Sequence, residues 1–292
     1  MRRFWVVLSL AVLAACGRGS SVTTPNAVAS LSQWSPYVGM HSFDWSLNVQ
    51  QPFLQPLLDN GSIRGVRLEY FGPDTQSAAS WLLANGATDV LGILPDSMLK
   101  PDTCAALEMA VHGAPAIRYW EIGNEVQLFT AISPQEYAPI FAAAAACVVD
   151  KGLDVIVIPA APVGNMGGQD FLRGILDAGV LKLADGGRVP ILALHYYSTG
   201  STFMPDVARQ VQRLPANTEI WVTETGVDSQ AAQVDFVREQ YPRIHASWRA
   251  TRIYWYVFSE CSGYSLVGGL ASPCKTGPSF SPLYNLLKGG GR

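Results

Sequence analysis

From residue 36 onward, short apolar stretches rich in β-branched and aromatic residues alternate with longer stretches of helical periodicity. The short stretches predict eight strands, at residues 37–43, 65–71, 88–94, 117–122, 154–159, 191–197, 219–225 and 252–258. The longer stretches predict helices at residues 75–85, 102–111, 134–150, 170–184, 204–213 and 229–250. The helix after the first strand has the weakest pattern, because Pro52 and Pro56 interrupt it.

Eight strands that alternate with helices predict an α/β fold, specifically a (β/α)8 TIM barrel. A doubly wound open sheet is the competing arrangement, and it would usually carry a glycine-rich phosphate loop after its first strand. That turn here is Gly-Met-His-Ser-Phe (39–43) and lacks the GxGxxG pattern. No P-loop, GxSxG elbow or HExxH motif occurs either, so nucleotide, serine-hydrolase and zinc-protease chemistry has no support.

The first fifteen residues have the pattern of a secretory signal peptide, with Arg2 and Arg3 followed by an apolar run that ends in small residues. The run is too short to span a bilayer comfortably. It closes Leu-Ala-Ala-Cys-Gly (13–17), which resembles the bacterial lipobox and implies lipidation of Cys16. A plain signal peptide cleaved nearby is the alternative. We therefore expect a lipoprotein signal at 1–15, a lipidated Cys16 and tether at 16–35, and a barrel domain at 36–290.

Composition restricts the partners and the compartment. The 292 residues are 49% hydrophobic and 15% charged, with a net charge of −3. This suits one large, single-core domain, which we expect to be a monomer. A mildly acidic chain without basic runs argues against nucleic acid as a partner. We expect the chain to be exported to a bacterial cell envelope, on the periplasmic side or the cell surface, with membrane contact through the lipid anchor alone.

Four cysteines remain after Cys16, and an even number in an exported chain suggests disulfides with three possible connectivities. Cys104 and Cys147 fall on consecutive predicted helices that a barrel makes neighbours, whereas Cys261 and Cys274 flank one loop. These positions favour the pairs 104–147 and 261–274. No pair has CxxC spacing, so we expect no zinc site.

Two carboxylates stand at the ends of strands four and seven. The catalytic groups of a barrel come from the carboxyl ends of its strands and from the loops that follow them. Strand four ends Glu-Ile-Gly-Asn-Glu (121–125), and strand seven ends Trp-Val-Thr-Glu-Thr-Gly (221–226). Because these strands lie on roughly opposite sides of an eight-strand ring, Glu125 and Glu224 should face each other across its mouth. Most glycoside hydrolases use a facing pair of carboxyl groups for catalysis.

These two motifs and the strand order resemble the clan A glycoside hydrolases, and the resemblance covers essentially residues 36–288. It implies that Glu125 is the acid/base and that Glu224 is the nucleophile. Arg67, on strand two, corresponds to an arginine that supports the nucleophile in this clan; a barrel-interior ion pair with Glu121 is the alternative. Val126 stands where the clan commonly has proline, and this leaves the family within the clan unassigned.

The resemblance also implies a set of sugar-binding residues. Asn124 would hydrogen-bond the sugar 2-hydroxyl, and Trp255 would form the apolar floor of the subsite unless it is simply packed, as many barrel tryptophans are. His195 would bind a sugar hydroxyl unless it is a satisfied core histidine, and Tyr197 would orient the nucleophile. His41, at the end of strand one, would be a further substrate contact.

The sequence thus predicts a retaining glycosidase that cleaves O-glycosidic bonds of a β-linked oligo- or polysaccharide by double displacement. We expect this enzyme to need no metal or organic cofactor. Two alternatives belong to other functional classes. One is a surface lipoprotein that binds glycan without cleaving it, and the other is a barrel enzyme of unrelated chemistry.

Overall fold

The computed structural model describes residues 37–40, 47–164, 166–183, 190–197, 203–259, 262–270 and 277–289. The predicted signal peptide, Cys16 and the tether lie outside the described residues, as do His41, Cys261 and Cys274. Among the helices within the described ranges, none is long and apolar enough to cross a membrane.

Eight parallel strands form one sheet, as the apolar pattern predicts. They are β1 (Tyr37–Met40), β2 (Gly65–Glu69), β3 (Asp89–Leu94), β4 (Tyr119–Ile122), β5 (Ile156–Pro159), β6 (Ile191–Tyr197), β7 (Glu219–Gly226) and β8 (Ala250–Tyr256). The hydrogen-bonded order is β5-β4-β3-β2-β1-β8-β7-β6, so β1 joins β2 and β8. The two end strands, β5 and β6, also contact each other. This is the (β/α)8 barrel that the sequence predicts. A short antiparallel pair, β9 (Val267–Gly268) and β10 (Ser279–Phe280), follows it.

Ten α-helices lie in the described part of the chain. They are α1 (Leu47–Asp59), α2 (Pro73–Ala84), α3 (Thr103–Gly113), α4 (Val126–Phe129), α5 (Pro134–Asp150), α6 (Met166–Asp177), α7 (Val180–Leu183), α8 (Phe203–Val211), α9 (Gln233–Trp248) and α10 (Pro282–Lys288). Helices α2, α5 and α10 each begin with proline, whose fixed φ suits the first helical turn and whose missing N–H is not needed there.

The helix after the first strand, which had the weakest pattern, is confirmed as α1, whereas two other helical predictions need correction. Helix α1 forms despite Pro52 and Pro56, because it packs a row of fully or almost fully buried leucines against the core. The helix predicted at 170–184 is two helices, since Gly179 adopts a φ of 75° between α6 and α7. The helix predicted at 229–250 starts at Gln233, after a 3-10 turn at Gln230–Ala232.

Alternation along the strands separates two apolar layers. The inward residues make a small core inside the barrel, which consists of Leu91, Ile158, Ala161, Ile191, Ala193, Trp221 and Tyr254. The outward residues join the helices in a larger core. The Arg252 guanidinium lies 3.8 Å from the centre of the Trp221 ring and 2.8 Å from Asp89, and so adds a cation–π contact and an ion pair to the inner core.

The predicted bond between Cys104 and Cys147 is present and ties α3 to α5. The two Cα atoms are 5.3 Å apart, a normal separation for a disulfide. The second predicted pair, Cys261–Cys274, falls outside the described residues.

Candidate active site

A cavity of about 550 Å³ opens at the carboxyl ends of the strands. Its lining residues are Glu69, Ile93, Pro95, Asp96, Ser97, Asn124, Glu125, Phe129, Val163, Tyr197, Glu224, Tyr256 and Tyr264. Four of these are carboxylic acids and four are aromatic, while no lysine or arginine is among them. Such a lining, apolar rings with a few fixed polar groups, is typical of a small-molecule or sugar site.

Glu224 ends β7 and accepts a hydrogen bond at each carboxylate oxygen. Arg67 donates to Oε1 at 2.5 Å, and the Tyr197 hydroxyl donates to Oε2 at 2.6 Å. Burial, followed by the charge of Glu224, raises the pKa of Tyr197 well above its usual value, so the hydroxyl keeps its proton. One cationic and one neutral donor therefore stabilise the negative charge of Glu224 and fix its plane.

A β-bulge aims the Glu224 side chain inward. Leu194 pairs with Val222, but the next residue, His195, pairs with Glu224, so Thr223 is the extra residue on β7. Trp221 belongs to the inner core, and strict alternation from there would send Glu224 outward. The bulge shifts the alternation by one residue, which is a common function of bulges beside active sites.

Arg67 is fully buried and joins three residues of the site. Its Nε donates to Glu121 at 2.8 Å, and its Nη2 donates to the Asn124 side-chain oxygen at 2.7 Å, in addition to the bond with Glu224. Burial acts to lower the Arg67 pKa, but Glu121 and Glu224 outweigh it and the net shift is upward. Both interpretations of Arg67, support of Glu224 and an ion pair with Glu121, therefore apply. Arg67 does not line the cavity, and it contacts the site through these three side chains.

Glu125 follows a tight turn after β4. Gly123 has a φ of 88°, and a Cβ there would come within 2.6 Å of Val126, so the turn requires glycine. Glu125 itself has a φ of 47°, a left-handed conformation that is uncommon for a residue with a side chain. Its carboxylate lines the cavity and lies 2.8 Å from His195 Nδ1.

His195 has no exposed surface, and this corrects its predicted role. Its Nδ1 also lies 3.6 Å from Glu224 Oε2, so the ring sits behind both carboxylates. Burial acts to lower the His195 pKa, but Glu224 and Glu125 outweigh it and raise the pKa above the ordinary value. With a side chain that no sugar hydroxyl can reach, His195 contacts the carboxylates and does not bind substrate directly.

One oxygen of Glu125, one oxygen of Glu224 and a ring nitrogen of His195 all lie within 4.8 Å of one another. Two carboxylates and an imidazole at this spacing could hold a divalent cation. However, Glu224 already accepts from Arg67 and Tyr197, and His195 Nδ1 already contacts Glu125. A neutral imidazole is needed for metal binding, whereas the raised pKa of His195 favours its protonated form. The contacts therefore favour a proton-sharing site over a metal centre.

The structure brings two further acids to the cavity that the sequence interpretation missed. Glu69 lies two residues after Arg67 and faces inward by the same alternation, and Asp96 follows β3. Asp96 Oδ1 accepts the Asn124 backbone N–H at 2.8 Å and so holds the strand-four turn. Burial, with nearby Glu69, Glu121 and Glu125, raises the pKa of Asp96 to about 6.

The prediction for Trp255 is wrong. Its side chain is fully buried, and its ring centre lies 5.8 Å from that of Phe236 on α9, outside the barrel. Tyr254 belongs to the inner core, so alternation sends Trp255 outward and Tyr256 inward. Tyr256 and Tyr264 line the cavity in its place.

Comparison with known proteins agrees with this architecture. The family model described as the glycosyl hydrolase catalytic core matches residues 124–274. No curated protein sequence matches the chain. A β-mannanase from Thermomonospora fusca superposes with a TM-score of 0.61 at 17% identity, over 87% of this chain and 88% of that one.

Two other solved structures share the barrel. A subgroup IV endo-β-1,3-glucanase of glycoside hydrolase family 128 from Lentinula edodes has a TM-score of 0.54 at 16% identity, over 87% of this chain and 95% of that one. A calcium-binding mutant of Bacteroides uniformis β-glucuronidase 2 has a TM-score of 0.63 at 13% identity, over 89% of this chain. The present chain spans only about a third (34%) of the glucuronidase.

The match to the family model extends over more than half of the chain and includes Glu125, His195 and Glu224. The chain belongs to the glycosyl hydrolase catalytic-core family and is a glycosidase, as its sequence predicts.

Proposed function

We propose that this glycosidase is a retaining enzyme with Glu224 as nucleophile and Glu125 as acid/base. The observation that carries the proposal is the spacing of the two carboxylates, since one oxygen of Glu125 and one of Glu224 lie within 4.8 Å of each other. Retaining glycosidases hold their carboxyl groups about 5–5.5 Å apart, whereas inverting enzymes need about 6.5–9.5 Å to admit a water.

The environments of the two acids support these roles. Arg67 and Tyr197 bind both oxygens of Glu224, which suits an ionised group that attacks the anomeric carbon. Among the described residues no arginine or lysine donates to the Glu125 carboxylate, which contacts His195 and faces the cavity, where it can give a proton to the leaving oxygen. In the second step Glu125 takes a proton from water, and that water displaces Glu224 from the anomeric carbon.

Asn124 completes the proposed machinery. Its side-chain oxygen accepts from Arg67, so its amide NH₂ group is the part left to face the cavity. This donor is suited to a sugar 2-hydroxyl, a contact that strengthens in the transition state.

The proposed substrate is a β-linked oligo- or polysaccharide. The mannanase and the β-1,3-glucanase resemble this chain over nearly their whole length, and we therefore propose β-mannan and β-1,3-glucan as the first candidates. Cellulose oligosaccharides and aryl β-glucuronides complete the panel to be tested.

The test is hydrolysis of that panel by the wild type and by Glu224→Gln and Glu125→Gln. Each variant should lose at least 1000-fold in kcat, while Glu239→Gln, an exposed change on α9, keeps full activity. Proton NMR of the first product should show the β-anomer. An α-anomer as first product, or full activity in either cavity variant, would refute the assignment.

Chemical rescue separates the two roles. Azide should restore turnover to Glu224→Gly with formation of an α-glycosyl azide, because the small anion takes the nucleophile's place. Glu125→Ala should retain the first step on a dinitrophenyl glycoside, seen as a burst of dinitrophenolate, because this leaving group needs no proton, while the second step slows for lack of a base. The reverse pattern would exchange the two assignments.

We also propose that residues 1–15 are removed and that Cys16 is lipidated, which would anchor the enzyme at a bacterial cell envelope. The support is the Leu-Ala-Ala-Cys-Gly motif at the end of the apolar run. Radiolabelled palmitate should label the wild type expressed in bacteria and not Cys16→Ser. Equal labelling of both would contradict the anchor.

A further inference from the structure

Phe129 is the most exposed large apolar side chain in the described part of the protein, with 68% of its surface accessible. A single exposed apolar residue needs no functional explanation. Phe129 differs from the others because it lines the catalytic cavity, only four residues after Glu125. Because most of its surface is accessible, a face of the ring is available to a ligand.

The short helix α4 holds this ring in place. Its first residue, Val126, is fully buried, and the backbone N–H groups of Leu128 and Phe129 both donate to the Glu125 carbonyl. Further along, the N–H groups of Thr130 and Ile132 donate to the Val126 carbonyl. Because these bonds fix the backbone of α4 directly to the backbone of Glu125, the position of the Phe129 ring is set by the same turn that positions the carboxylate.

Two left-handed residues bracket the helix. Glu125 has a φ of 47° and Ala131 a φ of 52°, and neither is glycine. Such conformations are unfavourable for a residue with a side chain and persist where the surroundings enforce them, often at functional sites. The backbone is therefore strained at both ends of α4. Within this helix Val126 is buried and Phe129 is exposed on the cavity wall.

The proposed roles of the two acids indicate which side of the cavity holds the leaving sugar and which side holds the retained sugar. The group that protonates the glycosidic oxygen lies on the side of the leaving sugar, whereas the nucleophile approaches the opposite face of the sugar that is retained. Glu125 and Phe129 therefore belong to the leaving-group side. Tyr197, next to Glu224, belongs to the side of the retained sugar.

We propose that Phe129 is a specificity-determining residue that stacks on the leaving-group sugar. The substrate class is then a glycan that has a pyranose on each side of the cleaved bond, and not a glycoside of a small alcohol. The C–H face of a pyranose would cover an apolar ring that now contacts water. This inference rests on the assignment of Glu125 as acid/base.

The test compares substrates that carry a sugar on the leaving-group side of the cleaved bond with substrates that do not. The pentaoses of β-1,3-glucose, β-1,4-glucose and β-1,4-mannose provide a leaving-group sugar, whereas β-glucosyl fluoride and β-mannosyl fluoride do not. Phe129→Ala should lower kcat/KM for the cleaved pentaose about 3- to 10-fold, the effect of one lost aromatic contact. Hydrolysis of the matching fluoride should change by less than about 2-fold. Phe129→Tyr should retain the wild-type ratio.

Phe71→Ala is the matched control. Phe71 also follows a barrel strand and is 48% exposed, but it does not line the cavity. Phe71→Ala should leave the hydrolysis of the pentaose and of the fluoride unchanged. Transglycosylation gives a second measure, since Phe129→Ala should lower transfer to an added sugar acceptor relative to hydrolysis.

The outcomes separate the two proposals. Equal loss on pentaose and fluoride in Phe129→Ala would indicate damage to the whole site, and no loss on either would remove the stacking role; both overturn the inference. A wild type that hydrolyses no pentaose would overturn the inference, and a wild type that is inactive on the whole panel, aryl β-glucuronides included, would also refute the retaining-glycosidase assignment.

Discussion

The two donors to Glu224 come from different strands and differ in charge. Arg67 on β2 supplies a cation at 2.5 Å, and Tyr197 on β6 supplies a neutral hydroxyl at 2.6 Å. Because Arg67 also binds Glu121 and Asn124, its removal would disturb several contacts at once. A change at Tyr197 therefore tests a single hydrogen bond to the Glu224 carboxylate.

We expect Tyr197→Phe to lower kcat about 10- to 100-fold with a smaller change in KM. A hydrogen bond to a charged group is worth about 1.5–3 kcal/mol, and this one restrains the attacking oxygen. Steady-state kinetics on the best panel substrate provides the measurement. Tyr241→Phe is the control, since that buried hydroxyl has no hydrogen-bond partner among the described residues. An unchanged kcat in Tyr197→Phe would contradict the proposed role.

Asp96 makes the stability of the protein depend on pH. Its pKa is raised to about 6 in the folded state from an ordinary value of 3.8. Between these values the folded protein binds more protons than the unfolded chain, so the Asp96 contribution to stability falls as pH rises from about 4 to 6. Above pH 6 the ionised Asp96 destabilises the fold.

Asp96→Asn should therefore stabilise the protein at pH 7 relative to pH 4. After allowance for the partial exposure of the group, the relative gain is on the order of 1–2 kcal/mol. The amide oxygen of asparagine can still accept the Asn124 N–H. Urea denaturation of wild type and variant at both pH values gives the difference, and Asp102→Asn, at the exposed N-cap of α3, is the control. A difference that is equal at both pH values would argue against this effect.

At the scale of elements, α5 shows how local sequence signals define a helix. It begins at Pro134 after Ser133, and Ser133 and Glu136 form a reciprocal capping box. Helix α5 contacts α3, α6 and α7, and it carries Cys147 of the disulfide. A loose first turn in α5 would therefore weaken several helix contacts outside the barrel.

Ser133→Ala should lower the free energy of unfolding by about 1 kcal/mol, because the N–H of Glu136 loses its acceptor. Urea unfolding followed by circular dichroism would measure the change. Ser229→Ala is a matched control, since Ser229 precedes a 3-10 turn without a side-chain cap bond. Equal effects of the two changes would show that the capping box does not stabilise α5.

At the scale of the whole molecule, the disulfide closes a sequence separation of 43 residues. That loop contains β4, the Glu125 turn and α4, so the bond constrains the part of the chain that carries the acid/base. A cross-link acts largely by restricting the unfolded chain, and the effect grows with loop length. The bond should therefore influence stability far more than the geometry of the folded site.

The double variant Cys104→Ser/Cys147→Ser should lose about 2–4 kcal/mol of unfolding free energy while it retains kcat at 25 °C. The comparison is best made in a Cys261→Ser/Cys274→Ser background, so that added reductant acts on one bond only. Reductant should destabilise that background and leave the double variant unaffected. A reductant effect in both would indicate that another thiol is responsible.

The sequence determined the number and order of strands, because the period of apolar residues differs between strands and helices and depends only on local pattern. It also placed Glu125 and Glu224 at strand ends, and it predicted the Cys104–Cys147 bond from the adjacency of two helices. Strand order is enough for these inferences, since all carboxyl ends of parallel strands meet at one end of a barrel.

The direction in which each side chain points was decided only by the tertiary structure. The bulge at Thr223 that turns Glu224 inward depends on its pairing with β6. Tyr256 takes the place at the cavity that was predicted for Trp255, because the inner layer takes Tyr254, and His195 is buried beside two carboxylates. A shift of one residue reverses the face of a strand, and that shift is fixed by contacts between residues far apart in the sequence.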